Sequence, residues 1–496
     1  MRRLLVVSLT VQFMVALDMS VVNVALPDMR AGLGFTPEGL LWVVNAYALA
    51  FGGLLMLGGR LGDLLGSRPV LITGLVLFGT ASLAGGLAQS PGVLIAARAV
   101  QGAGAAALAP VAFALIALAF PAGPERSRAL GLWGMAGAAG GAAGVLAGGL
   151  LTDAAGWRAV MLVNVPIVAF ALVAALRTGP AARTPAATGA RLDVTGALLA
   201  TGGTTLLVLG LVGTATHPWG SARTVGVLAA AAVLLAAFVA VEHRTASPLL
   251  RPGLLKGRPV LTANLFCLLL SSGQFASFYF VSLCLQQVLG YGPTAAGAAF
   301  LPFCVGVVAG SVIATRTVAR LGTRRLLAAG GALAALGFAG FAATARVDGT
   351  FLTFVLGPSL VASVGIGMCF VPLGTAATTG VAPGETGMAS GLLNSSRQVG
   401  GSLGLAVLVT AAAQVTGGSD RRTDLVAGYA TAFWAAAGLL AAGALAALLL
   451  LPRDPATGPA DPSGTDAGGL AVAGPEDSQK NSVGGVDPAV PRSTQG

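Results

Sequence analysis

The segment LLVVSLTVQFMVALDMSVVNVALP, residues 4–27, decides what kind of molecule this chain makes. It follows Arg2 and Arg3 directly and is long enough to cross a ~30 Å hydrocarbon core as a helix. Its one charged residue is Asp18, with no basic residue beside it in sequence. A carboxylate at the centre of a spanning helix costs about 2.5–3.5 kcal/mol, whereas each Leu or Val returns only about 0.3–0.6 kcal/mol. Asp18 therefore offsets several apolar neighbours, which marks it as a candidate functional residue. The run also resembles a signal peptide, but it is too long and lacks a small-residue cleavage site. An uncleaved first helix is expected.

The same reading extends along the chain. Of 496 residues, 55% are hydrophobic and only 9% charged, and the mean hydropathy is +0.85. A soluble domain carries about 25% charged residues, so this surface does not mostly face water. Apolar runs predict fourteen spans, at 4–27, 38–59, 70–89, 92–120, 128–151, 157–177, 192–213, 223–242, 260–288, 295–315, 325–345, 350–379, 387–415 and 427–451. They are continuous rather than alternating, which excludes a β-barrel. The fold class is an all-α polytopic membrane protein in the lipid bilayer.

A net charge of +10 raises the question of nucleic acid, but the chain has no long basic block. Its basic residues sit between apolar runs, where they report topology. With the N-terminus inside, the inner segments hold many, Arg2, Arg3, Arg60, Arg68, Arg324 and Arg325 among them. The outer loops hold Arg30, Arg158, Arg223, Arg346, Arg421 and Arg422. Both termini are therefore expected to be cytoplasmic. Lys256 and Lys480 are the only lysines, and with abundant Ala and Gly this points to a GC-rich bacterial genome. A bacterial plasma membrane location follows.

Cys267, Cys284, Cys304 and Cys369 fall inside spans without metal-ligand or disulfide spacing and read as packing residues. His217 and His243 stand alone in loops, so no metal is expected. There is no Walker-type glycine-rich lysine motif to bind ATP. No nucleophile–base constellation suggests a membrane enzyme, and no sizeable soluble domain suggests a sensor.

A weak repeat relates GGRLGDLLGSRPVL at 58–71 to ATRTVARLGTRRLL at 314–327, with Gly66-Ser67-Arg68 over Gly322-Thr323-Arg324. Parallel repeats of this kind suggest a transporter of two six-helix halves. The expected division is 1–180 and 259–452 for the halves and 181–258 for a linker and two inserted helices. Residues 453–496, rich in Gly, Pro, Ser and Asp, form an expected disordered cytoplasmic tail.

Three further stretches carry chemistry. GGRLGDLLGSR is expected to form a short turn in which Gly59, Asp63, Gly66 and Arg68 latch one conformational state. RAVQGAGAA places Arg98 and Gln101 three apart on one helix face inside an apolar span. In span five, Gly137, Gly140, Gly144 and Gly148, with Gly149 beside them, form a face that lets helices pack backbone to backbone and serve as a hinge. Asn23, Asn45, Tyr47, Gln101, Asn264, Gln274 and Tyr279 are candidates for a midplane substrate cavity, though each also suits a helix–helix hydrogen bond.

These motifs occur in order with GWRAVMLVNVP at span six and GLLNSSRQVGGSLG in span thirteen. Over roughly residues 5–450 the combination resembles the fourteen-helix drug:proton antiporter branch of the major facilitator superfamily. The resemblance implies that Asp18 is the first-helix acid and Arg98 the fourth-helix residue linked to proton coupling. Two departures stand out: Gly144-Val145 replaces the usual Gly-Pro, and Leu64 replaces an Arg after Asp63. The implied function is export of a small lipophilic drug or antibiotic against protons, with the proton as coupling ion, no cofactor and a monomer as the working unit. A carrier for one endogenous compound or self-made antibiotic is the same-fold alternative.

Overall fold

The computed structural model describes residues 2–120, 124–177, 193–214, 217–245, 248, 252–347, 349–381, 386–419 and 421–452. The linker at 178–191 and the expected disordered tail at 453–496 lie outside them. Among the described residues the chain is helical, with no strand. The helices are α1 (Arg2–Leu33), α2 (Pro37–Leu65), α3 (Ser67–Gly86), α4 (Pro91–Ala119), α5 (Pro124–Ala155), α6 (Trp157–Leu162) and α7 (Asn164–Leu176). They continue with α8 (Val194–Gly213), α9 (Ala222–Arg244), α10 (Arg258–Leu283), α11 (Pro293–Ala299), α12 (Leu301–Thr344), α13 (Gly357–Thr378), α14 (Thr386–Thr416) and α15 (Arg422–Leu450).

Thirteen helical stretches among the described residues are long and apolar enough to cross a membrane, one fewer than the fourteen expected. The difference lies in Pro293–Thr344, whose 52 residues would reach about 78 Å as one straight helix at 1.5 Å per residue, more than twice a bilayer core. Spans 295–315 and 325–345 run together there because no loop separates them. The break is Gly322 alone, at φ +76° and ψ 163°. Its repeat partner Gly66 does the same between α2 and α3, at φ +91° and ψ 146°. Only glycine enters this region of backbone space without strain.

That geometry corrects the expected turn. Gly59 and Asp63 lie in the last turns of α2, because nothing before Gly66 breaks the helix. The Asp63 side chain falls outside the described residues. Arg68 donates to the Leu176 carbonyl at 3.0 Å, and Arg3 to the Arg177 carbonyl at 3.1 Å. Both cations thus satisfy orphan carbonyls at the C-terminal end of α7.

Pro27, the expected end of the first span, sits inside α1. Its missing N–H frees the carbonyl four residues earlier, that of Asn23. The freed oxygen accepts from Ser282 Oγ of α10 at 2.9 Å, and the next carbonyl, Val24, accepts from Gln286 Nε2 at 2.9 Å. The helix continues because a neighbour supplies the lost partner.

The span-five glycines behave as a contact surface. Gly137, Gly140, Gly144 and Gly148 of α5 abut Gln12, Phe13, Leu17 and Val21 of α1. A methyl added at Gly144 would stand 2.6 Å from the Leu17 carbonyl oxygen, and one at Gly148 2.6 Å from that of Val21. Gly149 instead meets the backbone of Pro293 and Thr294 at α11, and Gly141 opens onto free space. In α14, Gly400 and Gly404 pack against Leu268 and Ser272 of α10. The offsets 400 − 144, 404 − 148 and 322 − 66 all equal 256, so one register carries the repeat through both the turn and the glycine contact.

Helices α8 and α9 pack on each other, and α8 also touches both α2 and α14. Asp193 caps α8 by accepting from the Gly196 N–H at 2.7 Å. Asp193 and Glu242 are both buried, each covered where α8 meets the end of α9. Large apolar side chains such as Val233, Leu336 and Leu449 are more than half exposed, the surface expected against lipid.

Gly148→Val should lower stability by about 1–3 kcal/mol through overpacking against α1. Gly141→Ala has room and should be neutral or gain up to about 1 kcal/mol of helix propensity. Thermal unfolding of the purified protein in detergent checks both.

Candidate functional site

The glycine face of α5 brings α1 close on one side, and Gly102 and Gly104 let α4 approach α2 and α3 on the other. Asp18 lies between them with no exposed surface, and Arg98, on the second turn of α4, is only 2% exposed. Arg98 Nη1 donates to Asp18 Oδ2 at 2.7 Å. Asp18 Oδ1 accepts from Gln101 Nε2 at 2.7 Å and from Asn164 Nδ2, at the start of α7, at 2.8 Å. The carboxylate accepts in every one of these contacts.

Arg98 has further partners. Its Nη1 reaches Gln101 Oε1 at 2.7 Å, and its Nε donates to the Val43 carbonyl of α2 at 3.0 Å. The guanidinium carbon lies 4.3 Å from the centre of the Tyr47 ring, a cation–π contact strengthened by exclusion of water. Gln101 Nε2 also donates to Ser82 Oγ of α3 at 2.7 Å. The pair thus ties α1, α2, α3, α4 and α7 into one polar knot. Around it, Tyr47 Oη, both Asn45 amide atoms and Asn164 Oδ1 are buried without a hydrogen-bond partner among the described residues.

Of the candidates read from sequence, Asp18, Arg98, Gln101 and Tyr47 therefore meet. Asn45 is fully buried on α2. Asn23 turns back to its own helix, donating to the Met19 carbonyl at 2.9 Å. Asn264, Gln274 and Tyr279 lie on α10 and do not join the knot. Asn264 accepts from Ser396 Oγ at 2.8 Å, the Gln274 oxygen is buried without a partner among the described residues, and Tyr279 stands edge-on to Phe280. Ser82 and Asn164 are members that sequence reading missed. Asn164 lies in the quoted stretch GWRAVMLVNVP, and its polarity within that apolar run was the available signal. Among the described residues, no three His, Cys, Asp or Glu side chains gather in metal-binding geometry.

Arg98→Gln leaves Asp18 buried with its cationic partner removed and should cost about 3–5 kcal/mol. The double variant D18N/R98Q should recover part of that loss, because the two effects are coupled. Thermal unfolding of the four proteins measures the cycle.

Comparison with known proteins places this arrangement in a family. Residues 9–405 match the Major Facilitator Superfamily model. The Cephamycin export protein CmcT of Amycolatopsis lactamdurans is 44% identical over 462 residues, covering 93% of this chain and 94% of that protein. The Puromycin resistance protein pur8 of Streptomyces alboniger is 40% identical over 475 residues, covering 93% of both. In structure, a bacterial homologue of the human lysosomal transporter Spinster, inward-facing and occupied, superposes with a TM-score of 0.65 at 15% identity, over 90% of this chain and 96% of that one. That likeness speaks to the fold alone. With a family match across most of its length and relatives similar from end to end, the chain belongs to the Major Facilitator Superfamily of membrane transporters.

Proposed function

We propose that this protein is a proton-coupled secondary transporter that exports small lipophilic drugs or antibiotics from a bacterial cell. The observation that carries the reading is the buried Asp18–Arg98 pair, held at 2.7 Å inside the spanning helices. An intramembrane ion pair is costly to desolvate and therefore functional by default.

The geometry supplies a way to exchange its proton. When Asp18 takes up a proton, Arg98 is not orphaned, because Gln101 Oε1, the Val43 carbonyl and the Tyr47 face remain within reach. The protonated acid keeps acceptor capacity for Asn164 and Gln101. The proton and the guanidinium thus compete for one carboxylate. Alternating access would expose this site to the outside for loading and to the inside for release, with both termini cytoplasmic. Residues 1–180 and 259–452 would rock as two halves, with the glycine face of α5 as the moving contact and the Gly66–Arg68 junction holding one state. The gradient supplies about 2.3 kcal/mol per charge per 100 mV, plus about 1.4 kcal/mol per pH unit.

A narrower reading has a specific observation in its favour. The two relatives described above are each named for one antibiotic, cephamycin or puromycin. Export of a single compound of that kind fits the same site and the same coupling.

Everted membrane vesicles containing the protein should accumulate a member of an antibiotic panel that includes a cephamycin and puromycin, and a protonophore should abolish the uptake. Asp18→Asn should reduce gradient-driven uptake to the level of vesicles lacking the protein. Retained protonophore-sensitive uptake by that variant would exclude Asp18 as the coupling site.

A further inference from the structure

The stretch GLLNSSRQVGGSLG puts a second arginine, Arg397, in the middle of a membrane-spanning helix, α14. Its environment is the opposite of that of Arg98. Among the described residues Arg397 has no ion-pair or hydrogen-bond partner; the ring of Phe370 of α13 lies 5.3 Å from the guanidinium carbon, and the buried Cys267 of α10 lies within electrostatic reach. The side chain is half-buried. An uncompensated cation at this depth is retained only where it faces protein interior or water.

Three observations argue for a polar surrounding rather than lipid. Ser390, Asn394 and Arg397 share one face of α14, at steps of four and three residues. Ser390 and Asn394 are both exposed, so the first half of this helix presents a polar track where a lipid-facing helix would present Leu and Val. The track ends one turn beyond Arg397, where Phe275 of α10 packs on Gly401. Second, Thr375 and Thr379, at the end of α13 that leads into α14, are exposed as well. Third, the repeat offset of 256 makes Gly141 the counterpart of Arg397 in the first half, and an added methyl at Gly141 would meet nothing within 4 Å.

We propose that Arg397, at the closed end of this track and stacked on Phe370, binds the carboxylate of the transported molecule. The substrate class is then lipophilic acids, with apolar walls for the body and one guanidinium for the charge. A planar guanidinium offers paired N–H donors matched to a carboxylate. This rests on the export reading above and deepens it. If a monoanion leaves as one proton enters, each cycle carries two positive charges inward, so the membrane potential assists export twice.

The test is equilibrium binding to purified full-length protein in nanodiscs of zwitterionic lipid, with no gradient present. The probes are a series of aryl carboxylates from 2-naphthoate to 1-pyrenebutyrate, each paired with its primary amide and followed by fluorescence. Wild type should bind at least one carboxylate in preference to its amide. Arg397→Gln should weaken that carboxylate about tenfold or more and leave the amide within about threefold. Arg397→Lys should retain part of the preference, and Phe370→Leu should weaken carboxylate binding while the charge remains. Unchanged size-exclusion and thermal profiles show that the variants are folded. Equal affinity for acid and amide in wild type, an equal loss of both in Arg397→Gln, or no saturable binding of any carboxylate would overturn the proposal. So would displacement of the carboxylate from wild type by phosphatidylglycerol in the disc, which would assign the arginine to a lipid headgroup phosphate. Because no gradient is used, failure of proton-driven export leaves this result intact, and the reverse also holds.

Discussion

The exclusion of water around Asp18 is the constraint on which the rest of the architecture turns. A carboxylate with no exposed surface must find its partners within the protein, and three donors from two other helices meet it. Bringing those donors within 2.8 Å requires α1 and α4 to approach their neighbours closely. Glycine makes that approach possible on both flanks: Gly144 lies against the backbone of Leu17, the residue before the acid, and Gly102 lies against the backbone of Tyr47. The polar knot and the small-residue faces are therefore one device. Enlarging the glycines would move the acid, and removing the acid's partners would leave the close packing around an unpaired charge.

A second set of contacts joins the early helices to the later ones. It is made by α1 on α10, by α5 on α11 and by α2 on α14, where Ser395 Oγ donates to the Gly52 carbonyl at 2.8 Å. The α8–α9 pair lies over the α2–α14 contact: Thr410 of α14 donates to the Leu211 carbonyl of α8 at 3.3 Å, and Gly53 of α2 abuts Thr201. Helix α8 thus covers the α2–α14 contact from one side.

Much of this was written in the chain. Apolar run length gives nearly every crossing, and isolated charges within those runs single out Asp18 and Arg98. What sequence could not give was partnership. Arg98 is eighty positions from Asp18, and only the fold brings them together. Ser82 and Asn164 escaped because a short polar residue in an apolar helix looks the same whether it bonds its own backbone, as Asn23 does, or a distant acid. The junctions at Gly66 and Gly322 were misjudged for another reason. A single residue at positive φ can reverse two long helices, so hydropathy, averaged over a window, sees either a loop that is too wide or none. Asn264, read as a candidate either for a cavity or for a helix–helix hydrogen bond, accepts from Ser396, a pairing that depends on register between helices.

The carbonyl that Pro27 frees on Asn23 has a consequence for how this end of the bundle can open. In most helices a side chain that docks on a backbone oxygen adds a second bond to a group already satisfied. Here the hydroxyl of Ser282 supplies the partner that the proline removed. When α1 and α10 part, that oxygen cannot fall back on its own helix, and in an apolar gap it would be stranded at a cost of several kcal/mol. Separation is therefore tied to wetting: the first water molecules to enter have a site waiting for them on the departing helix. A dry, partly opened state is penalised at this position, so the crevice should pass from sealed to hydrated without dwelling between.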